Sequence, residues 1–278
     1  MPDVQQYNLD DLCYLMQRLR DPEAGCPWDL KQTETSIVPY TLEEVYELIE
    51  ALEQGDHESA KGELGDVLFQ VVFYAQLAQE RALYGLDDIV NGIVTKLVRR
   101  HPHVFQDGTL RSSVVAREQI DEATVKARWE AIKQGERNAR QQGSAMDDVP
   151  LSLPALSRAQ KLQKRASQFG LDWPEVEPVL DVLRGEITEF EHALESGTAR
   201  SVADELGDIL FSVVNMARLL GLDAEQVLRQ SNRKFESRVR HYEELGSERQ
   251  LNLSFLSNEE RDKLWDEAKH REGSQSPS

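Results

Sequence analysis

Glu44 and Glu47 stand three residues apart, and Glu63 and Asp66 repeat that spacing 19 residues after Glu44. Positions three apart on an α-helix share a face, so each pair aims two carboxylates the same way. At 100° per residue, Glu63 and Asp66 fall beside a stripe of Leu64, Leu68, Val71, Val72, Ala75 and Ala78, which the pattern predicts as the buried face. Two such helices packed antiparallel gather four carboxylates at the edge of a core. Like charges so placed raise one another's pKa, and a divalent cation relieves the conflict. An all-oxygen ligand set suits Mg²⁺ or Mn²⁺ rather than zinc. One acid-x-x-acid pair alone means little. With 50 acidic residues in 278, about nine such pairs arise by chance, mostly as solvated helix faces.

The pattern recurs. Glu186 and Glu189 precede Glu205 and Asp208 at the same 19-residue step, 142 residues downstream. The apolar segments that follow also correspond, Val67-Leu68-Phe69-Gln70-Val71-Val72 against Ile209-Leu210-Phe211-Ser212-Val213-Val214. Lys96 and Arg100 match Lys234 and Arg238 at an offset of 138, and Trp129 and Lys133 match Trp265 and Lys269 at 136. Trp28 corresponds to Trp173. Shared features in one order mark a duplicated domain. Each Lys and Arg pair is spaced i, i+4 and shares a helix face. Such residues serve either as weak surface salt-bridge partners or, beside a metal cluster, as a grip on polyphosphate. Each Trp either stacks on a base or anchors its helix.

Other chemistries find less support. There is no Walker or Rossmann glycine loop and no Gly-x-Ser-x-Gly elbow. Glu189-x-x-His192 and Glu267-x-x-His270 match a di-iron spacing, but the first repeat has no equivalent. His101-Pro102-His103 reads as a helix-ending turn.

The elements that must position these residues are helices. Thr41-Leu42-Glu43-Glu44 reads as a capping box opening one helix, with Gly55 as its stop. A second helix is predicted from near Asp56 to about Arg81. Alternating β-branched runs are missing, so the expected class is all-α. The domains expected are 1–133 and 160–270, joined by a linker at 134–159 rich in Gly, Ser and Pro. A frayed tail is expected over 271–278.

Composition bounds the partners. A net charge of −18 repels nucleic acids and anionic membranes. Cys13 and Cys26 form neither a CxxC nor a zinc spacing, so free thiols in a reducing compartment are expected. Residues 1–6 show no signal-peptide pattern, and Val67–Ala78 is too short to span a bilayer. The expected location is cytoplasmic.

The ensemble resembles the MazG family of nucleoside triphosphate pyrophosphohydrolases in its two-repeat form. The resemblance covers nearly the whole chain. It rests on Arg18-Leu19-Arg20-Asp21-Pro22, Cys26-Pro27-Trp28-Asp29, Tyr40-Thr41-Leu42-Glu43-Glu44, Gly62-Glu63-Leu64-Gly65-Asp66, Arg99-Arg100-His101-Pro102-His103-Val104-Phe105 and Leu153-Pro154-Ala155-Leu156. It implies tandem all-α helical-bundle domains, hydrolysis of a nucleoside triphosphate to monophosphate and pyrophosphate, Mg²⁺ dependence and a homodimer. The family motif, Glu-Glu-x-x-Glu followed by Glu-x-x-Asp, matches Glu43, Glu44, Glu47, Glu63 and Asp66 in full. In the second repeat Gly185 replaces the leading Glu, while Glu186, Glu189, Glu205 and Asp208 match.

The resemblance further implies that the second repeat is the principal site, with Lys234, Arg238, Trp265 and Lys269 contacting substrate. Lys96, Arg99, Arg100, Trp129 and Lys133 are the weaker counterparts in the first repeat. A ligand carboxylate or Asp204 is expected to accept the proton from the attacking water. Two alternatives stand beside this: a helical interaction module with a decayed site, and a related all-α enzyme acting on dUTP or phosphoribosyl-ATP.

Overall fold

Asn8 opens helix α1 (Leu9–Leu19), accepting the Asp10 and Asp11 N–H groups, while Asp11 accepts the Asn8 N–H in return. This reciprocal pairing satisfies the first-turn donors that a helix leaves open. In the computed structural model, the described residues are 6–111, 121, 124–125, 128–129, 131–132, 135–136 and 144–275. Among them every regular element is helical and none is a strand, which makes the fold all-α.

Helix α2 (Val38–Gln54) begins earlier than the sequence suggests. Thr41 is inside it rather than at its cap: its hydroxyl donates to the Ile37 carbonyl at 3.1 Å and lies 3.0 Å from the Tyr74 hydroxyl. Pro39, tolerated in a first turn, sets the true start. Gly55 ends the helix with φ +72°, a conformation that costs a residue with a Cβ. Asp56 then caps α3 (His57–Glu80) by accepting the Ser59 N–H at 3.0 Å. The two-residue joint folds α2 and α3 into a hairpin, and α1 lies against α3. Helix α4 (Leu86–Arg100) ends at His101, as the sequence predicts, with the His101 ring nitrogen 2.7 Å from the Leu97 carbonyl.

The second half repeats the plan. Helix α5 (Ala155–Ser167) lies against α7 (Ala199–Leu219), and α6 (Glu177–Ser196) pairs with α7 as a hairpin. Helices α8 (Ala224–Glu248) and α9 (Asn258–Gln275) form a further hairpin around Leu245, Leu264 and Ala268. The chain divides into two compact units, Met1–Glu136 and Arg137–Ser278.

Within the stretch 134–159, among the described residues, Glu136 is helical and α5 starts at Ala155. Within it Asp148 accepts from Arg165 at 2.6 Å and Val149 is buried. The tail expected from 271 is helical to Gln275, because Arg271 pairs with Glu248 at 2.7 Å and Glu272 with Arg238 at 2.7 Å. Residues 276–278 lie outside the described residues.

The core of the first unit is Met16, Ile37, Val72, Phe73 and Leu77. Arg20 locks it from one side. Its guanidinium binds the Glu80 carboxylate through Nε at 2.7 Å and Nη2 at 2.6 Å, donates to the Asp29 carbonyl, and lies 5.6 Å over the Phe73 ring. The expected buried stripe on α3 is only half right. Val72, Ala75 and Ala78 are buried, but Leu64, Leu68 and Val71 are 55%, 42% and 38% exposed. The six share one face, so the division runs along the helix: the stripe is covered from Val72 onward and open from Leu64 to Val71. Both cysteines are free thiols, as expected. No helix among the described residues is long and apolar enough to cross a membrane.

Phe73→Ala removes a ring that is 1% exposed and is expected to cost about 3–5 kcal/mol of unfolding free energy, read by urea denaturation. A loss under about 1 kcal/mol would show that the ring is not central to this core.

Candidate metal centre

The α6–α7 hairpin sets the register of the second-repeat carboxylates. Glu186 on α6 comes together with Glu205 and Asp208 on α7, one oxygen of each within 4.8 Å of the others. Glu44 on α2 does the same with Glu63 and Asp66 on α3. The two groups are built from equivalent positions, so the duplication extends to the geometry of the site.

Electrostatics marks both groups as short of positive charge. The Glu186 carboxyl is pushed above the ordinary range, first by burial and then by the charges of Asp208, Glu189 and Glu205. Glu44 is raised by burial and by Asp66, Glu47, Glu63 and Glu43. Glu63 is also raised, by partial burial, by the neighbouring charges of Glu47 and Asp66, and by a hydrogen bond with Glu47. Carboxylates gathered against their own repulsion, offering only oxygen, fit a hard divalent cation such as Mg²⁺. Glu189, Glu47 and Glu43 stand outside the triads and act on them through charge. Gly185, in place of the leading Glu, is not enforced by crowding, since a Cβ there would meet nothing within 4 Å.

The expected substrate-contacting residues lie on other elements. Phe235 meets Trp265 with ring centroids 5.8 Å apart, and Tyr242 meets the same ring at 6.2 Å. Trp265 is therefore packed within the α8–α9 hairpin. Arg238 donates to Glu272 at 2.7 Å, Lys269 pairs with Asp266 at 2.6 Å, and Lys234 is exposed. In the first unit Arg99 and Arg100 share Glu136, whose carboxyl they hold down at about 2. Trp129 stacks near His101 at 6.0 Å, and Lys96 is half-buried on α4. Lys133 lies outside the described residues. Asp204 is exposed and 3.9 Å from Arg200. The di-iron spacing gathers no cluster among the described residues: Glu267 pairs with Arg249, and the His270 ring meets the Asp266 carbonyl.

Two residues escaped the sequence analysis. Glu136 and Glu272 are 136 residues apart, the same offset as the Trp and Lys pairs, and each pairs with the equivalent arginine, Arg100 or Arg238. That offset is the signal in the sequence, although the expected domain ends at 133 and 270 fall just short of both residues.

Comparison with known proteins agrees with this geometry. The MazG nucleotide pyrophosphohydrolase domain matches residues 32–105 and 175–242, one copy over each carboxylate hairpin. The chain belongs to the MazG family. The nucleoside triphosphate pyrophosphohydrolase of Escherichia coli (strain K12) is 46% identical over 266 residues, covering 95% of this chain and 98% of that protein. The nucleoside triphosphate pyrophosphohydrolase/pyrophosphatase MazG of Thermotoga maritima is 40% identical, covering 94% and 95%. An uncharacterized protein of Bacillus subtilis, YabN, is 42% identical over 93% of this chain and 51% of its own length. This MazG-family chain is an enzyme, a hydrolase with its acidic motif present twice.

The raised Glu186 carboxyl has a consequence for stability. Its ionisation costs the folded chain more than the unfolded one, so that stability is full below the ordinary Glu pKa of about 4.3 and falls as pH rises through the higher folded value. In metal-free protein, Glu186→Gln is expected to unfold at higher denaturant than wild type at pH 7, with the gap closing below about pH 4. A gap that does not vary with pH would show that Glu186 carries no such strain.

Proposed function

We propose that this enzyme hydrolyses nucleoside triphosphates to monophosphate and pyrophosphate with Mg²⁺, and that the second repeat is its principal site. The observation that carries the chemistry is the carboxylate triad, Glu186, Glu205 and Asp208 in the second repeat, one oxygen of each within 4.8 Å of the others; the choice of that repeat follows the family resemblance. The names of the Escherichia coli and Thermotoga maritima relatives support the reaction class. The same triad chemistry serves Mn²⁺.

Glu186, Glu205 and Asp208, with Glu189 beside them, would hold the metal, which when bound neutralises phosphate charge and acidifies a coordinated water. Attack of water on the α-phosphorus breaks its bond to the bridging oxygen and releases pyrophosphate. Glu189 lies outside the triad and Asp204 immediately precedes Glu205, so either carboxylate can accept the proton of the attacking water. Lys234, Arg238 and Lys269 meet the charge that grows on the leaving pyrophosphate. Arg238 is held for this by Glu272, since a charge-assisted pair fixes the guanidinium plane. Trp265, braced by Phe235 and Tyr242, keeps α9 in place beside α8.

We also propose a cytoplasmic homodimer. Leu64, Leu68 and Val71 on α3 recur as Leu206, Leu210 and Val213 on α7, the latter 46%, 53% and 46% exposed. Apolar rows left open on a folded chain mark an association surface. The first repeat, with its own triad, serves as a weaker site or as a dimerisation unit. Light scattering is expected to give twice the 31.7 kDa chain mass, and a monomer at micromolar concentration would refute the dimer.

The function is tested by pyrophosphate release from a panel of nucleoside triphosphates with and without Mg²⁺. Glu186→Gln and Glu205→Gln are each expected to lower release at least about 100-fold, and Glu44→Gln much less. Loss only in Glu44→Gln would move the chemistry to the first repeat. No release by folded wild type would make an interaction module the better account.

A further inference from the structure

The segment Ser144-Ala145-Met146-Asp147-Asp148-Val149-Pro150 lies between the two repeats and sets turn formers around two large apolar side chains. It folds into a turn that holds itself. The Ser144 N–H donates to Asp147 Oδ2 at 2.9 Å, the Met146 N–H to Ser144 Oγ at 3.2 Å, and the Val149 N–H to the Met146 carbonyl at 3.1 Å. Two contacts fasten the turn to the second unit. Val149 is buried, and Asp148 Oδ2 accepts from Arg165 Nη2 of α5 at 2.6 Å.

The turn delivers Met146 to the rim of a cavity of about 340 Å³. Val179 and Val182 of α6 and Ser212 of α7 belong to its wall, while Leu171 and Trp173, from the joint after α5, share the rim with Met146. Val179 and Ser212 are buried, whereas Met146, Trp173 and Leu171 are exposed. The joint after α5 is pinned as the turn is, since Asp172 pairs with Arg218 of α7. Helices thus build the wall, and two connecting segments, each pinned by an aspartate to an arginine, build the rim. The helical register sets this cavity beside the second carboxylate triad: Val182 comes one turn before Glu186, and Ser212 one turn after Asp208.

Connecting segments rearrange more readily than packed helices, and a methionine thioether fits surfaces of varied shape. The Asp148 pin also leaves a polar atom over. Asp148 Oδ1 is closed to solvent and has no hydrogen-bond partner, a cost borne as long as the turn lies down. Lifting the turn breaks the bond to Arg165 and returns both carboxylate oxygens to water, so the gain at one oxygen offsets part of the loss at the other. A contact balanced in this way opens and recloses at little net cost.

We propose that Ser144–Val149 is a lid of the second-repeat site: it lifts to pass substrate and settles with Met146 against it, and the Asp148–Arg165 pair is its latch. Asp148 is a positioning residue, acting through Met146 rather than on the substrate. The lid presupposes the pyrophosphohydrolase function proposed above. Closure of a loop over a site holds the substrate while it reacts and times the release of product.

The test joins steady-state kinetics to hydrogen exchange over residues 144–150. Exchange is read with and without Mg²⁺ and an α,β-imido nucleoside triphosphate, in which nitrogen replaces the bridging oxygen of the scissile bond. In wild type the analogue is expected to slow exchange of the Met146 and Val149 amides at least about tenfold. Asp148→Asn is expected to speed that exchange in the free protein and to raise KM at least about fivefold, with kcat changed less. Met146→Ala, which leaves the latch in place, is expected to raise KM with free-protein exchange unaltered, and it carries the test if Asp148→Asn does not fold. A turn that is only a structural brace gives another pattern: Asp148→Asn lowers the denaturant midpoint while KM keeps its wild-type value. That pattern, or exchange in wild type that is blind to the analogue, would overturn the lid. A wild type that slows its exchange on binding the analogue but releases no pyrophosphate would overturn the function and keep the lid.

Discussion

Carboxylates brought within 4.8 Å of one another at the edge of an apolar core repel each other, and partial burial makes each charge more expensive. The hairpins must supply the free energy that holds them there. Their means are visible: Asp56 and Thr198 cap the second helix of each hairpin and satisfy a first-turn N–H that the helix leaves open. Short joints then fix which residues lie opposite one another. A site assembled against its own electrostatics is poised for a cation, and so is the polyphosphate that a cation brings.

The duplication shows how one backbone supports two outcomes. Both repeats keep the triad, the hairpin and the arginine held by a glutamate thirty-odd residues later. They diverge one turn away from the acids. There the first repeat has Phe73, packed with Met16, next to a buried Gln70, while the second has Asn215 and Ser212 at the matching positions, both nearly buried, with Gln163 buried in the same unit. Burying amides without full hydrogen bonding costs stability, which is the kind of cost a fold carries at a binding site.

The proposed homodimer rests on the same helices. The first unit covers one stripe of the 24-residue α3 only from Val72 onward. The exposed row of Leu64, Leu68 and Val71 is the remainder, and its counterpart on α7 repeats it.

Spacing alone determined the helical class, the duplication and the matched acidic pairs of the two repeats, because a helix places i and i+3 on one face wherever it occurs; that three of the four acids in each repeat come together was decided by the hairpins. It also located the end of α2 at Gly55 and both ends of α3, where capping chemistry is local. Tertiary structure decided what depends on distant neighbours. Thr41 looked like a cap but sits inside a helix begun at Val38. Leu64 and Leu68 have core periodicity but no partner in their own unit to bury them. The sequence leaves Arg100 and Arg238 open between surface pairing and a grip on phosphate, and their pairing with Glu136 and Glu272 appears only once separate helices meet. The cavity was illegible for the same reason: Gln163, Trp173 and Asn215 come from separate segments, and an empty volume is set by what every neighbour leaves unfilled.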